Sequence, residues 1–299
     1  MQCIPYRRIL SAIFEFEVVM SCRRATATAD EEALAHEDGE SEGAIFLVGN
    51  HIRDKGVARI VDALKEPCFR EYYKLYLCDN RVGRLGASCI STALNYNTTL
   101  RELSLGNNHI GDEGARYLAD ALTQNGTLEM LNLEKNSIGP IGITALAIAL
   151  ENDNKSLKWL VLSENPIGDE GVSSILRCVG NTSTFERLQN CNHCLLSVTM
   201  RKITQIKDSA IAIRRIQTYL KINRLSVNSS RLLVQRKVIQ SVRENQTALL
   251  EYLSVVQNRY GPKEMYCALH ILSLLGEQGD LSTLFEVLKN TPQLFPIDW

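Results

Sequence analysis

The residues most suggestive of chemistry form a Cys-Asn-His-Cys motif at residues 191–194. Two cysteines separated by two residues, with a histidine between them, are typical of zinc ligands or of a redox pair. A zinc site needs four ligands, however, and the second cysteine or histidine pair is missing from the sequence nearby. Most of the nine cysteines fall at positions that favour packing, where a free thiol behaves as a small hydrophobic group. We therefore expect a packing role for this motif and no cofactor.

No residue set for catalysis can be assembled from the sequence. Ser/His/Asp combinations and paired carboxylates do not rise above chance, and the phosphate-binding pattern G-x-x-x-x-G-K-[ST] does not occur. His51 and His109 occupy one turn position two repeats apart, too far to share a ligand. The formal net charge of −1 predicts no general attraction to nucleic acid or membrane, and no apolar run has the length of a membrane span. The sequence predicts a non-enzymatic protein.

One strand–turn–helix unit, residues 100–122, shows how the chain is organised. Leu103 and Leu105 alternate with small or polar residues, as a short strand requires. The second half switches to helical spacing, with Leu118 and Leu122 on one side. A unit of this size cannot bury its own apolar face, so it must stack against copies of itself.

The copies are marked by an asparagine in each turn, and successive asparagines lie 30, 28, 28 and 29 residues apart. The predicted structural turn residues are Asn50, Asn80, Asn108, Asn136 and Asn165. We expect the side chains of Asn108 and Asn136 to point inward and satisfy the backbone groups of the turn. A sixth, degraded unit would place His193 in the turn position and Leu195 after it, at the same period.

The pattern LxxLxLxxNxIGDEG, followed by an amphipathic helix at a period near 28, resembles the ribonuclease-inhibitor type of leucine-rich repeat. That type also occurs in NOD-like receptors and in the Ran GTPase-activating protein. The resemblance covers residues 44–199 and implies an α/β fold, a curved leucine-rich-repeat solenoid of about six strand–helix repeats with a parallel sheet on the concave side. The same fold serves inhibitors, sensors and GTPase regulators, so it does not specify a function.

The regions on either side of the repeats differ in composition. Residues 1–43 form an N-terminal segment that ends in a small, acidic linker expected to be disordered. Residues 200–299 are predicted to form a C-terminal α-helical domain that covers the last repeat. Its first half, 201–243, contains eleven Lys and Arg residues and one acid, and is either a solvated basic face or a docking surface for an acidic protein, RNA or anionic lipid. The odd cysteine count, without a convincing signal peptide, favours a cytoplasmic location.

The strand side of such a solenoid is concave because parallel strands stack more closely than helices pack. The residues that flank the strand leucines should therefore line one continuous face, and Phe46 begins one of its rows. Trp159 and Tyr76 stand out, because large aromatic residues are enriched in binding hot spots. Alternatively, the N-terminal segment or the C-terminal helices cover this face. The candidate partner-binding residues are Lys74, Tyr76, Glu102, Ser104, Met130, Asn132, Glu134, Trp159, Val161 and Arg187.

Three functions remain open at this stage. The leading hypothesis is a scaffold that binds an unidentified protein on the concave face. The second is a regulator that stimulates a small GTPase, as the resemblance to the Ran GTPase-activating protein suggests. The third is binding of an acidic partner or RNA through residues 201–243. The sequence names neither the partner nor the oligomeric state.

Overall fold

A computed structural model of the chain describes residues 43–64, 72–180, 191–204 and 209–225, together with Lys237 and Gln240. The chain divides into two compact units. We refer to Met1–Ile175 with Ser197–Ser209 as the first unit, and to Leu176–Leu196 with Ala210–Trp299 as the second unit.

The described strands form one sheet. Six strands of three residues each pair in parallel, and their order in the sheet follows their order along the chain. They are β1 (Ala44–Phe46), β2 (Lys74–Tyr76), β3 (Glu102–Ser104), β4 (Met130–Asn132), β5 (Trp159–Val161) and β6 (Ser197–Thr199). Parallel neighbours need a crossover connection, and a helix follows each strand to supply it.

The described helices alternate with these strands. They are α1 (Asp54–Ala63), α2 (Arg84–Leu94), α3 (Gly111–Gln124), α4 (Pro140–Asn152), α5 (Gly168–Gly180) and α6 (Ala210–Leu225). This open parallel sheet with alternating helices confirms the predicted α/β class and the curved leucine-rich-repeat solenoid. The predicted acidic linker, and the predicted C-terminal helical domain after α6, lie outside the described residues apart from Gly43, Lys237 and Gln240.

The core of the first unit lies between the sheet and its helices. The central leucine of each inner strand is at most 2% exposed, and the helices contribute buried apolar side chains such as Leu118 and Leu146. Burying one such side chain contributes roughly 1.5–3 kcal/mol, so the stacked repeats gain stability that one repeat could not reach alone. The central leucines are Leu75, Leu103, Leu131 and Leu160.

The turn asparagines join consecutive repeats. Asn108 is buried, and its Oδ1 accepts a hydrogen bond from the amide of Val82 in the preceding repeat, at 2.9 Å. Its Nδ2 donates to the carbonyl of Leu77, also in the preceding repeat, and to that of Leu105 in its own repeat. One side chain thus satisfies backbone groups of two repeats. Buried asparagines make equivalent bonds in the neighbouring repeats, at Asn80, Asn136 and Asn165, whereas Asn50 is exposed.

The helix N-termini are capped across repeats. The Asp112 carboxylate, in the first turn of α3, accepts hydrogen bonds from the amides of Gly139 (2.7 Å) and Gly142 (2.9 Å) at the start of α4. Asp54, in α1, accepts the amide of Gly83 at the start of α2 in the same way. Neither α2 nor α4 has a capping side chain of its own at this position, because glycine precedes both. The preceding repeat supplies the missing acceptor.

At the starts of helices α3 and α5, the hydrogen bond runs to the following repeat instead of the preceding one. Gly111, the first residue of α3, has φ +62° and donates its amide to the backbone carbonyl of Asn136 in the following repeat. Gly168 of α5 has φ +66° and donates to Thr204 one repeat later. Positive φ suits glycine, which has no Cβ to clash. The third and fifth repeats therefore begin their helices by a different means from the second and fourth.

The predicted register of the sixth repeat is wrong. β6 pairs with β5 so that Ser197 lies beside Trp159. Lys202, with φ +48°, therefore occupies the position before the turn that Glu164 occupies one repeat earlier. His193 instead lies in the connection before β6. The cause is a longer fifth repeat: Asn154 and Asn192 both accept the amides two and three residues ahead, yet they are 38 residues apart.

Candidate functional site

The strands present two rows of side chains on the sheet face opposite the helices. In the first row Lys74, Glu102, Met130 and Trp159 are register partners across β2 to β5. In the second row Tyr76, Ser104, Asn132 and Val161 are partners, and Phe46 of β1 precedes them. We call this surface the strand face. It gathers the predicted binding residues except Glu134, which follows β4, and Arg187. Arg187 lies outside the described residues, and its expected place beside Trp159 belongs to Ser197.

An aromatic pair begins the strand face. The rings of Phe46 and Tyr76 stack with their centroids 4.9 Å apart and their planes 4° from parallel. The Tyr76 hydroxyl donates a hydrogen bond of 2.9 Å to Glu102, whose carboxylate also lies 3.5 Å from the ammonium of Lys74. The ring stacking thus joins β1 to β2, and the Glu102 carboxylate joins β2 to β3. Phe46 is 48% exposed and belongs to this cluster, although the candidates chosen from the sequence did not include it.

The middle of the strand face is small and polar. Ser104 is buried, and its hydroxyl lies 2.9 Å from the Cys78 thiol. A Cβ on Gly106 would lie 3.3 Å from the Asn132 amide nitrogen, so the glycine leaves room for that side chain. The Asn132 Oδ1 accepts the amide of Glu134 at 2.9 Å. These groups are satisfied among themselves, so the middle of the strand face offers little to a partner beyond a shallow floor.

The Trp159 indole ends the first row at β5 and is 42% exposed. The ammonium of Lys158 lies 5.8 Å from the ring centroid, within the range of a cation–π contact. The same ammonium is 2.7 Å from the Glu129 carboxylate, which also binds Arg101 at 2.8 Å. The hydrogen bond from Lys158, with a further one from Arg101, lowers the pKa of Glu129. The Trp159 ring is therefore held beside a row of exposed charges that are already paired.

Charged residues at the edge of the strand face differ in whether their side chains form ion pairs within the described part of the chain. Lys202 pairs with Glu164 at 2.8 Å, and this contact lowers the pKa of the Glu164 carboxyl. Glu134 is half-buried, and within the described part of the chain its carboxylate makes no ion pair or hydrogen bond. Arg201 donates its backbone amide to the Ser163 hydroxyl and keeps its side chain exposed. Of the carboxylates described for this face, Glu134 is the one without an ion pair, and the Lys202 ammonium interacts with it electrostatically from a longer distance.

The Cys-Asn-His-Cys motif, residues 191–194, lies in the connection before β6. Cys191 is buried in the second unit, and the backbone amide of Cys194 binds the Asn192 side chain. Across the described ranges no group of three or more His, Cys, Asp or Glu side chains is placed to hold a metal ion. Nor does any helix in those ranges have the length and apolar character needed to cross a membrane.

Comparison with known proteins agrees with the repeat architecture. No curated protein sequence matches this chain. Among solved structures, the actin-binding site 2 of leiomodin-1 matches with 20% identity over 65% of this chain and 88% of that chain, at a TM-score of 0.42. Three segments match the leucine-rich repeat family, residues 96–119, 124–147 and 153–176. These segments hold β3 to β5 and the turns after them, and the chain therefore contains leucine-rich repeats.

Proposed function

We propose that this protein is a non-enzymatic scaffold that binds a protein partner on the strand face. The observation that carries the proposal is the exposure of Phe46 and Trp159, two large aromatic side chains on a surface that polar residues could have covered. Exposed aromatic groups of this kind are enriched at binding hot spots, where they contribute a large buried area at a low entropic cost. Leucine-rich repeats generally mediate protein–protein interactions, which supports the same function.

The spacing of the aromatic anchors constrains the partner. Phe46 lies on β1 and Trp159 on β5, four strand intervals apart, which corresponds to roughly 19 Å at the usual strand spacing. An extended segment of about six residues, or a helix of about thirteen, would reach from one anchor to the other. Such a segment would place an apolar side chain at each end. A basic side chain near Glu134 would complete the match.

We also propose that the repeats are of the ribonuclease-inhibitor type and that the protein is cytoplasmic. The repeat period near 28 residues and the helix that follows each described strand support the subtype. The buried thiols of Cys178 and Cys191, which pack without a disulfide, fit a reducing compartment. Cys78 and Cys89 likewise form no disulfide, and both are half-buried.

The test is a binding measurement with matched variants. A partner captured on the immobilised chain would be identified, purified and titrated against the wild type, Phe46→Ala and Trp159→Ala by calorimetry. We expect each variant to weaken binding by roughly 1–4 kcal/mol, because truncating an aromatic anchor removes most of its contact area. Arg116→Ala and Asp120→Ala on the exposed side of α3 are the controls and should leave affinity unchanged. Wild-type affinity for both aromatic variants would refute the strand face as the binding site.

The two other functions make different predictions in the same assay. Helix α6 exposes Arg214, Lys221 and Arg224, which favours an acidic partner or RNA as the second candidate. In that case Arg214→Glu with Lys221→Glu abolishes capture, Trp159→Ala has no effect, and binding weakens steeply with salt. A regulator of a small GTPase would instead accelerate GTP hydrolysis in a panel of purified GTPases, which a scaffold would not.

A further inference from the structure

The second unit contains a buried lysine in contact with a buried cysteine. The Lys237 side chain is fully buried, and its Nζ donates to the carbonyls of Val179 at 2.6 Å and Asn192 at 3.0 Å. Its third contact is the Cys191 sulfur, 3.3 Å away. These three contacts match the three donors of an ammonium group.

The Cys191 thiol is fixed from both sides. It is 1% exposed, and its Sγ donates to the Val179 carbonyl at 3.4 Å, near the end of α5. The amide of Asn192 donates to the Cys178 carbonyl at 2.7 Å, which ties the backbone after Cys191 to the same helix end. The sulfur therefore has little freedom to turn away from the Lys237 nitrogen.

Burial makes the Lys237 nitrogen more reactive. Loss of solvation disfavours the charged ammonium and lowers the pKa of Lys237, while the neighbouring thiols, Cys191 first, act in the opposite direction. A larger fraction of the amine is thus neutral near physiological pH than for an exposed lysine, and the neutral amine is a nucleophile. A nucleophilic nitrogen in contact with an oxidisable sulfur is the arrangement that an S–N bond requires.

We propose that Cys191 and Lys237 form a redox modification site in which a peroxide joins Sγ to Nζ as a sulfenamide. Hydrogen peroxide first oxidises the thiol to a sulfenic acid and releases one water. The Lys237 amine then attacks the sulfur, the S–O bond breaks, and the hydroxyl leaves as a second water with one amine proton. The sum is thiol plus amine plus hydrogen peroxide giving sulfenamide plus two waters. Two equivalents of an added thiol reverse it, yielding the original pair and one disulfide.

The proposal requires that peroxide reaches Cys191 and that the S–N bond forms in preference to a disulfide. Peroxide is a small neutral oxidant that can reach Cys191 during local openings of the second unit, which cost less free energy than global unfolding. The competing reaction is a disulfide between Cys191 and Cys194, whose thiol is half-buried three residues further along the sequence. The Lys237 nitrogen already contacts the Cys191 sulfur, which favours the S–N bond.

The experiment is peptide mapping of the full chain. The wild type, Cys194→Ser and Lys237→Met proteins are treated with millimolar hydrogen peroxide, alkylated without reduction, digested with trypsin and sequenced by mass spectrometry. We expect a cross-linked peptide pair containing Cys191 and Lys237, two hydrogens lighter than the sum of its parts, in the wild type and in Cys194→Ser. Trypsin should fail to cleave after the modified Lys237, and a thiol reductant should restore cleavage. Lys237→Met should lack the product.

Three results would overturn the proposal. Cys191 could be recovered from the treated wild type as a free thiol, as a disulfide with Cys194, or as a sulfinic acid with Lys237 unmodified. Because the wild-type map alone decides between the outcomes, the test stands even if Lys237→Met fails to fold.

Discussion

Asp112 and Gly139 are 27 residues apart in sequence, and the carboxylate of the first accepts the backbone amide of the second at 2.7 Å. The bond crosses from one repeat to the next, so the start of α4 depends on a side chain of α3. Stability in this fold therefore lies largely between repeats, as expected for a solenoid whose units contact only their neighbours.

The first prediction concerns this capping bond. Replacing Asp112 with Ala leaves the amides of Gly139 and Gly142 without their acceptor and should lower the free energy of unfolding by about 0.5–2 kcal/mol. Glu113→Ala is the matched control, because that carboxylate makes an exposed pair with Arg84 and such pairs contribute little. Urea denaturation followed by circular dichroism measures both. Equal stability of the two variants would contradict the cap assignment.

The second prediction concerns the turn asparagines. Asn108→Ala should lower the free energy of unfolding by roughly 1–3 kcal/mol, because the amide of Val82 and the carbonyls of Leu77 and Leu105 lose their buried partner. His109→Ala, at the exposed next position, should leave the thermal midpoint nearly unchanged. A thermal melt of Asn108→Ala that superimposes on that of the wild type would contradict a stabilising role for Asn108.

The third prediction is a pH dependence that comes from Lys237. Burial lowers its pKa in the folded protein below the ordinary value of 10.5, which the unfolded chain keeps. Between the two values the unfolded state binds a proton that the folded state does not, so the free energy of unfolding should rise with pH until about 10.5. Lys237→Met should lack this rise. Denaturation at a series of alkaline pH values provides the comparison, and parallel pH profiles would count against it.

The fourth prediction concerns the two anchors of the strand face. Phe46 and Trp159 lie on strands β1 and β5, four intervals or roughly 19 Å apart. Sites this distant and without shared contacts usually behave additively. The double variant Phe46→Ala with Trp159→Ala should therefore weaken partner binding by about the sum of the two single losses. A double variant no weaker than either single one would show that the partner engages one end of the face.

The repeat architecture could be predicted because its signals are local. The spacing of the turn asparagines, together with the change from alternating to helical periodicity, fixes a strand and a helix within each repeat. The sixth repeat could not be located in this way. The extra residues between Asn154 and Asn192 break the period, and Ile203 at the turn position offers no asparagine to recognise.

The details of the strand face depend on contacts between strands, which spacing alone does not reveal. The repeat spacing predicted that Tyr76 and Glu102 line one face, but not that the Tyr76 hydroxyl binds the Glu102 carboxylate. Ser104 occupies a row position like Asn132, yet it is buried beside Cys78. The capping role of Asp112 could not be predicted from the sequence for the same reason, because its partners belong to another repeat.

The capping bonds between repeats determine which repeats can be removed without loss of a helix cap. The acceptor carboxylates lie in the first, third and fifth repeats, where Asp169, the counterpart of Asp112, binds the Ser209 hydroxyl. Removing the third repeat alone would bring Arg84 to the position next to Gly139, where no carboxylate is available. Removing the second and third together would bring Asp54 there and preserve the bond. Removal of this pair of repeats should therefore preserve a capping bond that removal of the third repeat alone would abolish.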